Sequence, residues 1–299
     1  MHYGYIGLGN LGAYCAARLA QAGFALSVTD LDRANAAECE ALGAHWVDDP
    51  GELAARVDHV ITCLPSPQVT ERVLDAIMPR MRDGATWVEM STLGRDDVLA
   101  FAERAAGHGV RMLELPVTGG VHLAARGEIT MLPGGDAELV DLHRPAMEAM
   151  GNRVFHIGPL GSASIIKVIT NMLAFIHLKA SAEALMLAKR GGLDLGQAWA
   201  AIQASSGNSF VHETEGALIL NGSNDIGFNI DLALKDLRFA LGFGREFGVP
   251  LDLAAATEQT YVAARAAYGG EAQSPMIARL LEDLLDTDLR APGFPSKLE

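Results

Sequence analysis

The pattern Gly7-Leu8-Gly9-Asn10-Leu11-Gly12 follows directly on a short apolar run, Tyr3–Ile6, and opens a helical stretch, Leu11–Gln21. Few folds use glycine this way. The first glycine makes a tight turn. The second leaves the backbone open to close approach, and the third lets the helix pack tightly on the strand. The helix start then offers N–H groups and a positive dipole end, which together suit a pyrophosphate. Ala25–Thr29 reads as a second strand, ending at Asp30. That is close to the ~20-residue spacing at which a carboxylate reaches the hydroxyls of an adenosine ribose. Strand before, helix after and acid at the next strand end favour a dinucleotide loop over a ligand-free glycine turn.

The chain around this motif alternates. Val60–Leu64, Thr86–Glu89, Arg111–Glu114, Ile129–Leu132 and Val154–Ile157 read as strands. Ala34–Leu42, Gln68–Ile77 and Asp96–Ala106 read as the helices between them. Alternation of this kind predicts an α/β fold with a parallel sheet and helices on both faces. After Gly158-Pro159-Leu160-Gly161 the pattern turns helical to the end. The expected organisation is a Rossmann-like domain over 1–161 and an all-helical domain over 162–299, joined by a long helix. The apolar stretch Ser164–Ala188 contains Lys167, Asn171, His177, Lys179 and Glu183, which makes it a poor membrane span and a better helix buried between two protein layers. The tail Ala291–Glu299, with two prolines and a glycine, is expected to be loose.

Composition narrows the function classes. With 23 basic and 37 acidic side chains the net charge is −14, so a nucleic-acid partner is disfavoured. An acidic substrate gains no long-range steering, and any anion site must be local. The three cysteines, Cys15, Cys39 and Cys63, cannot all pair, and none has metal-ligand spacing. A reduced, cytoplasmic chain without a metal is the expectation, and the N-terminus lacks the features of a signal peptide.

Three further segments carry chemistry. Leu64-Pro65-Ser66-Pro67 follows a strand and reads as a ligand-touching loop or as a rigid helix start. Thr118-Gly119-Gly120 combines a hydroxyl with exposed N–H groups, which suits a carboxylate, although an ordinary loop fits as well. Lys167 and Asn171 lie four apart among apolar neighbours, so they share a helix face. Such a lysine either snorkels to the surface or has its proton affinity tuned by desolvation. Asp30 has a second reading as an N-cap, which Asp32 fits equally well. Lys235-Asp236 reads as a salt-bridged pair on a solvated face. His143, His177 and His212 read as surface or satisfied core histidines.

Taken in order and spacing, these blocks resemble the β-hydroxyacid dehydrogenase family, the 3-hydroxyisobutyrate dehydrogenase-like proteins. The matching blocks are Gly7–Gly12, Leu64-Pro65-Ser66, Ser91-Thr92, Pro116-Val117-Thr118-Gly119-Gly120, Gly158–Lys167 with Asn171, and Lys235-Asp236. The resemblance implies a Rossmann-like domain, a helical domain and an active site in the cleft. It implies Lys167 as general acid/base, and Thr118, Gly119, Gly120 and Asn171 as substrate contacts, with His122 lining the same pocket. It also implies Leu64, Pro65, Val69, Thr92 and Lys235 as cofactor contacts, and a homodimer or homotetramer.

The chain departs from the family pattern at several places. Thr118 stands for a serine, Glu114-Leu115 for Asp-Ala, and Thr170 for the first of two asparagines. His122 and Leu123 stand where small residues are common. The expected activity is hydride transfer between a nicotinamide and a small β-hydroxy acid, with bulkier pocket residues selecting an acid other than 3-hydroxyisobutyrate. Asp30 would repel a 2′-phosphate, so NAD is expected over NADP, unless Arg33 swings in to offset it. The alternatives are an imine or other carbonyl reductase and a non-catalytic NAD sensor. Imine-reducing relatives tend to carry Asp or Tyr where Lys167 stands, and a sensor has no need of the Thr118, Lys167 and Asn171 set.

Overall fold

A computed structural model describes residues 1–298. The chain divides into two compact units, one spanning Met1–Lys167 and the other starting at Val168.

The first unit is built on a six-stranded parallel sheet. Its strands are β1 (His2–Ile6), β2 (Ala25–Thr29), β3 (His45–Trp46), β4 (His59–Thr62), β5 (Thr86–Glu89) and β6 (Arg111–Glu114). Their order is β3-β2-β1-β4-β5-β6. This is the doubly wound arrangement expected of a Rossmann-like domain, and the strand order reverses between β1 and β4. Tyr3, Tyr5, Val28, Ile61, Val88 and Leu113 alternate into one apolar layer that includes Cys15, Leu19 and Met147. Val60, Trp87 and Met112 face the other layer, with Leu53, Leu74 and Ile77. Both sheet faces are therefore covered, which explains the near-continuous apolar strands.

Two sequence expectations need correction here. Ile129–Leu132 and Val154–Ile157 do not extend the main sheet. They belong to a separate three-stranded sheet of β7 (Val117–Thr118), β8 (Ile129–Met131) and β9 (Gly151–Val154). β7 runs antiparallel to β8, which is parallel to β9. The ninth strand starts earlier than its apolar residues suggest, because Gly151 carries no side chain against Ile129. A Cβ there would lie 2.1 Å from the Ile129 carbonyl oxygen. The two-residue β7 gives too short a pattern to be read from sequence.

The helix Ser162–Arg190 begins in the first unit and continues into the second. The second unit is helical among its described residues, with Leu195–Gln203, Ile230–Phe247 and Asp252–Tyr268 its longest other helices. Phe175, Leu178, Leu185, Leu234, Leu237 and Tyr261 form its core. Phe175 stacks on Phe228 and meets Tyr261 edge-on at 5.5 Å. The long helix is not enclosed on all sides: Ile169, Leu173 and Leu187 are exposed. By length and composition alone it could cross a membrane, but one face packs into protein core. The tail is also better anchored than its prolines suggest. Leu289 is buried, the Ala291 N–H donates to the Leu220 carbonyl, and the Phe294 ring meets Trp199 at 5.2 Å. Glu299 lies outside the described residues.

Candidate active site

β1 runs straight into the glycine loop, and each glycine meets a different constraint. Gly7 has φ +97°, and a Cβ there would lie 2.3 Å from the Cys63 carbonyl oxygen. A Cβ on Gly12 would lie 2.1 Å from the Gly7 carbonyl oxygen. Both positions are closed by backbone, so any side chain forces the strand and helix apart. Around Gly9 there is open space instead, and Gly9 and Asn10 are exposed. The helix Gly12–Gln21 starts at Leu11 with no side-chain cap, so its positive end faces the loop without a neutralising acceptor. Buried Leu8 and half-buried Leu11 anchor the loop to the core. The residues present therefore fit a dinucleotide: closed backbone holds the turn, and the open space at Gly9 would leave room for a pyrophosphate.

Asp30 braces this loop from the end of β2. Its carboxylate accepts from the Leu8 N–H at 2.6 Å, the Asp32 N–H at 2.9 Å and the Asn35 amide at 3.2 Å. It is not the helix N-cap; Asp32 is, accepting from the Ala34 N–H at 3.0 Å. Arg33 is ion-paired to Glu40 at 3.2 Å and lies over the Trp46 ring.

Across the switch point, β4 and β5 end in two loops tied together from below. The Ser91 hydroxyl accepts from the Leu64 N–H at 2.8 Å. Ser91 is in turn held by Glu89, whose carboxylate accepts the Ser91 N–H at 2.6 Å and the Thr62 hydroxyl at 2.9 Å. Trp87 completes the set by donating to the Thr62 hydroxyl. Burial pushes the Glu89 carboxyl up to about 7. Ser66 caps the helix Pro67–Ile77 by accepting from the Val69 N–H, so the Leu64–Pro67 segment is a rigid helix start. Pro65 is exposed there, while Leu64, Val69 and Thr92 are half-buried.

Thr118 ends β7, and Gly119 and Gly120 follow with φ of +128° and +86°. A Cβ on Gly119 would lie 2.8 Å from Leu123 Cδ1, and one on Gly120 3.2 Å from His122. The two bulky departures thus pack back over the two glycines. Burial lowers the proton affinity of His122, with Arg126 adding to the effect.

Lys167 is half-buried near the start of the long helix, with Asn171 one turn further on. Asn171 donates its amide to Asp236 at 2.6 Å. A carboxylate only accepts, so this bond fixes which end of the amide faces it. Asp236 also pairs with Lys235 at 3.0 Å. The salt bridge expected of Lys235-Asp236 is therefore present, but the face it lies on is not solvated. Asp236 is buried, because it ties the helix Ile230–Phe247 to the long helix as well as to Lys235. Lys235 itself lies over the Phe239 ring.

His143 and His212 are core residues, paired with Tyr3 and Ser181 respectively, and His177 is exposed. Among the described residues no group of three or more His, Cys, Asp or Glu side chains could hold a metal ion. Sequence reasoning missed the bracing roles of Glu89 and Asp236, and took Glu114 only as a departure from a pattern. The available signal was an acid at the last position of an apolar strand, twice over.

Residues 2–158 match the model described as the NAD binding domain of 6-phosphogluconate dehydrogenase. Residues 161–281 match that described as NAD-binding of NADP-dependent 3-hydroxyisobutyrate dehydrogenase. An L-threonate dehydrogenase of Cupriavidus necator is 34% identical, over 92% of this chain and 94% of its own. The chain belongs to the β-hydroxyacid dehydrogenase family. A 2-(hydroxymethyl)glutarate dehydrogenase of Eubacterium barkeri is 30% identical, over 94% of this chain and 95% of its own. Among solved structures, the 3-hydroxyisobutyrate dehydrogenase of Mycobacterium tuberculosis with L-serine superposes with a TM-score of 0.83. It is 28% identical, and the match covers 94% of this chain and 99% of that one. As a member of the family, the chain is an oxidoreductase acting on a CH–OH group.

Proposed function

We propose that this β-hydroxyacid dehydrogenase transfers hydride between NAD and a small acid bearing a hydroxyl on its β carbon, with Lys167 as general acid/base. The observation that carries the reading is a dinucleotide loop closed by backbone at Gly7 and Gly12 and open at Gly9, in a chain 34% identical over 92% of its length to an L-threonate dehydrogenase. Threonate, 2-(hydroxymethyl)glutarate and 3-hydroxyisobutyrate, the acids in the relatives' names, all carry a hydroxyl β to a carboxylate.

NAD, when bound, supplies the hydride acceptor. Everything else falls to the chain. The Gly7–Gly12 loop holds the pyrophosphate, and Asp30 takes the ribose hydroxyls with the oxygen capacity its loop contacts leave. Arg33 is engaged with Glu40 and Trp46, which supports NAD over NADP. Leu64, Pro65, Val69, Thr92 and Lys235 line the cofactor. Thr118 offers its hydroxyl, and Gly119 and Gly120 their N–H groups, to the substrate carboxylate. That suits a protein whose net charge of −14 provides no attractive field for an acid. Lys167 enters oxidation neutral and takes the hydroxyl proton as the C–H bond gives up its hydride. In reduction the ammonium returns that proton to the new alkoxide. Asn171, oriented by Asp236, holds the hydroxyl toward the lysine. His122 and Leu123 narrow the carboxylate end and select against 3-hydroxyisobutyrate in favour of another small acid.

Lys167→Ala tests the central step. The variant should bind NAD as the parent does, and kcat should fall by about 10²–10⁴-fold, the usual worth of a positioned acid/base. Turnover within a few-fold of the parent removes Lys167 from the reaction.

A further inference from the structure

We propose that Glu114 is the positioning residue that sets Lys167 against the Thr118-Gly119-Gly120 loop, by belonging to both elements at once. The proposal rests on the reading of Lys167 as the acid/base group. Glu114 is the last residue of β6 and is buried. Its backbone is fixed to Gly134, just beyond the β8 strand that pairs with β7. Its N–H donates to the Gly134 carbonyl at 3.0 Å, and its own carbonyl accepts from the Gly134 N–H at 2.9 Å. Four residues further on, the same chain segment reaches Thr118. Its side chain is fixed on the lysine side. Oε1 accepts from the Ala163 N–H at 3.0 Å, and Oε2 accepts from the Ser164 N–H at 3.1 Å and the Ser164 hydroxyl at 2.8 Å. Ala163 and Ser164 form the first turn of the long helix, and Lys167 follows one turn after Ser164.

The carboxyl has nowhere else to go. A Cβ on Gly134 would lie 2.3 Å from Glu114 Oε1, so the space on that side exists only because Gly134 lacks a side chain. The chemistry of the contact calls for a carboxylate. Three donors converge on two oxygens, at the positive end of a long helix. A glutamine of the same shape would turn an N–H group toward one of those donors. Burial pushes the Glu114 carboxyl up, and the hydrogen bonds at the start of the long helix pull it back down, so its charge depends on those contacts. The contact thus links the register of the helix that carries the lysine to the end of β6, from which the chain runs directly into β7 and the carboxylate pocket. An error of about 1 Å in such a register is enough to cost about 10²-fold in rate.

Glu114→Gln and Ser164→Ala test this beside Lys167→Ala. In Glu114→Gln, kcat should fall at least about tenfold, while KM for NAD stays within about twofold, because the cofactor loop lies on other strands. The pH at which kcat begins to fall on the acid side should move down, since the carboxylate at the first turn of the helix that carries the lysine is lost. Amide exchange in the ligand-free protein should quicken over residues 163–167 and stay unchanged over the Gly12–Gln21 helix. Ser164→Ala keeps Glu114 and removes one of three donors, so its kcat should fall about fivefold, the worth of one hydrogen bond. Should Glu114→Gln fail to fold, Ser164→Ala carries the test alone. A lowered melting temperature with unchanged kcat and unchanged pH profile in the folded variants would show a purely structural residue and overturn the proposal. Full turnover in Lys167→Ala would instead overturn the reading on which it rests.

Discussion

Single side chains decide most of what this protein does at its strand ends. Glu89, Glu114 and Asp30 each stand at or just beyond the end of a parallel strand, and each spends its oxygens on backbone N–H groups of a loop or helix start. The same economy of placement appears at the opposite ends of the strands, where histidines replace the acids. His143 Nδ1 lies 2.8 Å from the Tyr3 hydroxyl, its ring meets His59 edge-on at 4.7 Å, and its Nε2 is buried without a partner. Burial depresses its pKa to about 3. The unfolded chain takes up this proton near 6.5 and the folded chain does not. Stability is therefore present above pH 6.5 and is lost as pH falls from there toward 3, at up to about 1.4 kcal/mol per pH unit. His143→Gln should flatten this limb. Urea midpoints at pH 7, 5.5 and 4.5 should converge for the variant and the parent as pH falls, and parallel curves would exclude the assignment.

At the scale of elements, legibility in the sequence followed the strength of local pattern. β1, β2, β5 and β6 and the helices Gly12–Gln21, Pro67–Ile77 and Arg95–Ala106 could be read because apolar runs and glycine or proline punctuation agree there, whereas β3 and the helix Pro50–Arg56 were not read. β7 could not, since two residues carry no period, and Val154–Ile157 was placed late because its apolar residues are not where its ladder starts. The tight turn at Gly7, the open space at Gly9 and the close packing at Gly12 were legible in the glycine loop. The braces beneath the site were not, because Glu89–Ser91 and Glu114–Ser164 are contacts made by tertiary packing. Asn171–Asp236 joins helices 65 positions apart, a distance no local pattern spans. The loop also offers a sharp contrast between its glycines. Gly12→Ala places a Cβ against backbone and should lower stability by about 1–3 kcal/mol along with NAD binding. Gly9→Ala meets open space and should leave the melting temperature within about 1–2 °C while weakening NAD binding at least about tenfold. Thermal melts with NAD titrations on both variants check this. Equal destabilisation of the two would contradict the assignment of Gly9 to the pyrophosphate.

For the whole molecule, two compact units and a strongly acidic surface frame the chemistry. Family membership fixes the reaction class, while on the proposed reading the bulk of Thr118, His122 and Leu123 bears on which acid is taken. The measurement that goes to the centre is NADH formation by the purified protein across a panel of acids, with NADP in parallel. The panel holds 3-hydroxyisobutyrate, 3-hydroxypropionate, serine, glycerate, threonate and larger or aromatic analogues. The expected result is turnover with at least one small β-hydroxy acid, faster with NAD than with NADP and poorer with 3-hydroxyisobutyrate than with the best acid. Silence across the panel from protein that still binds NADH would contradict hydride transfer to this class of acid.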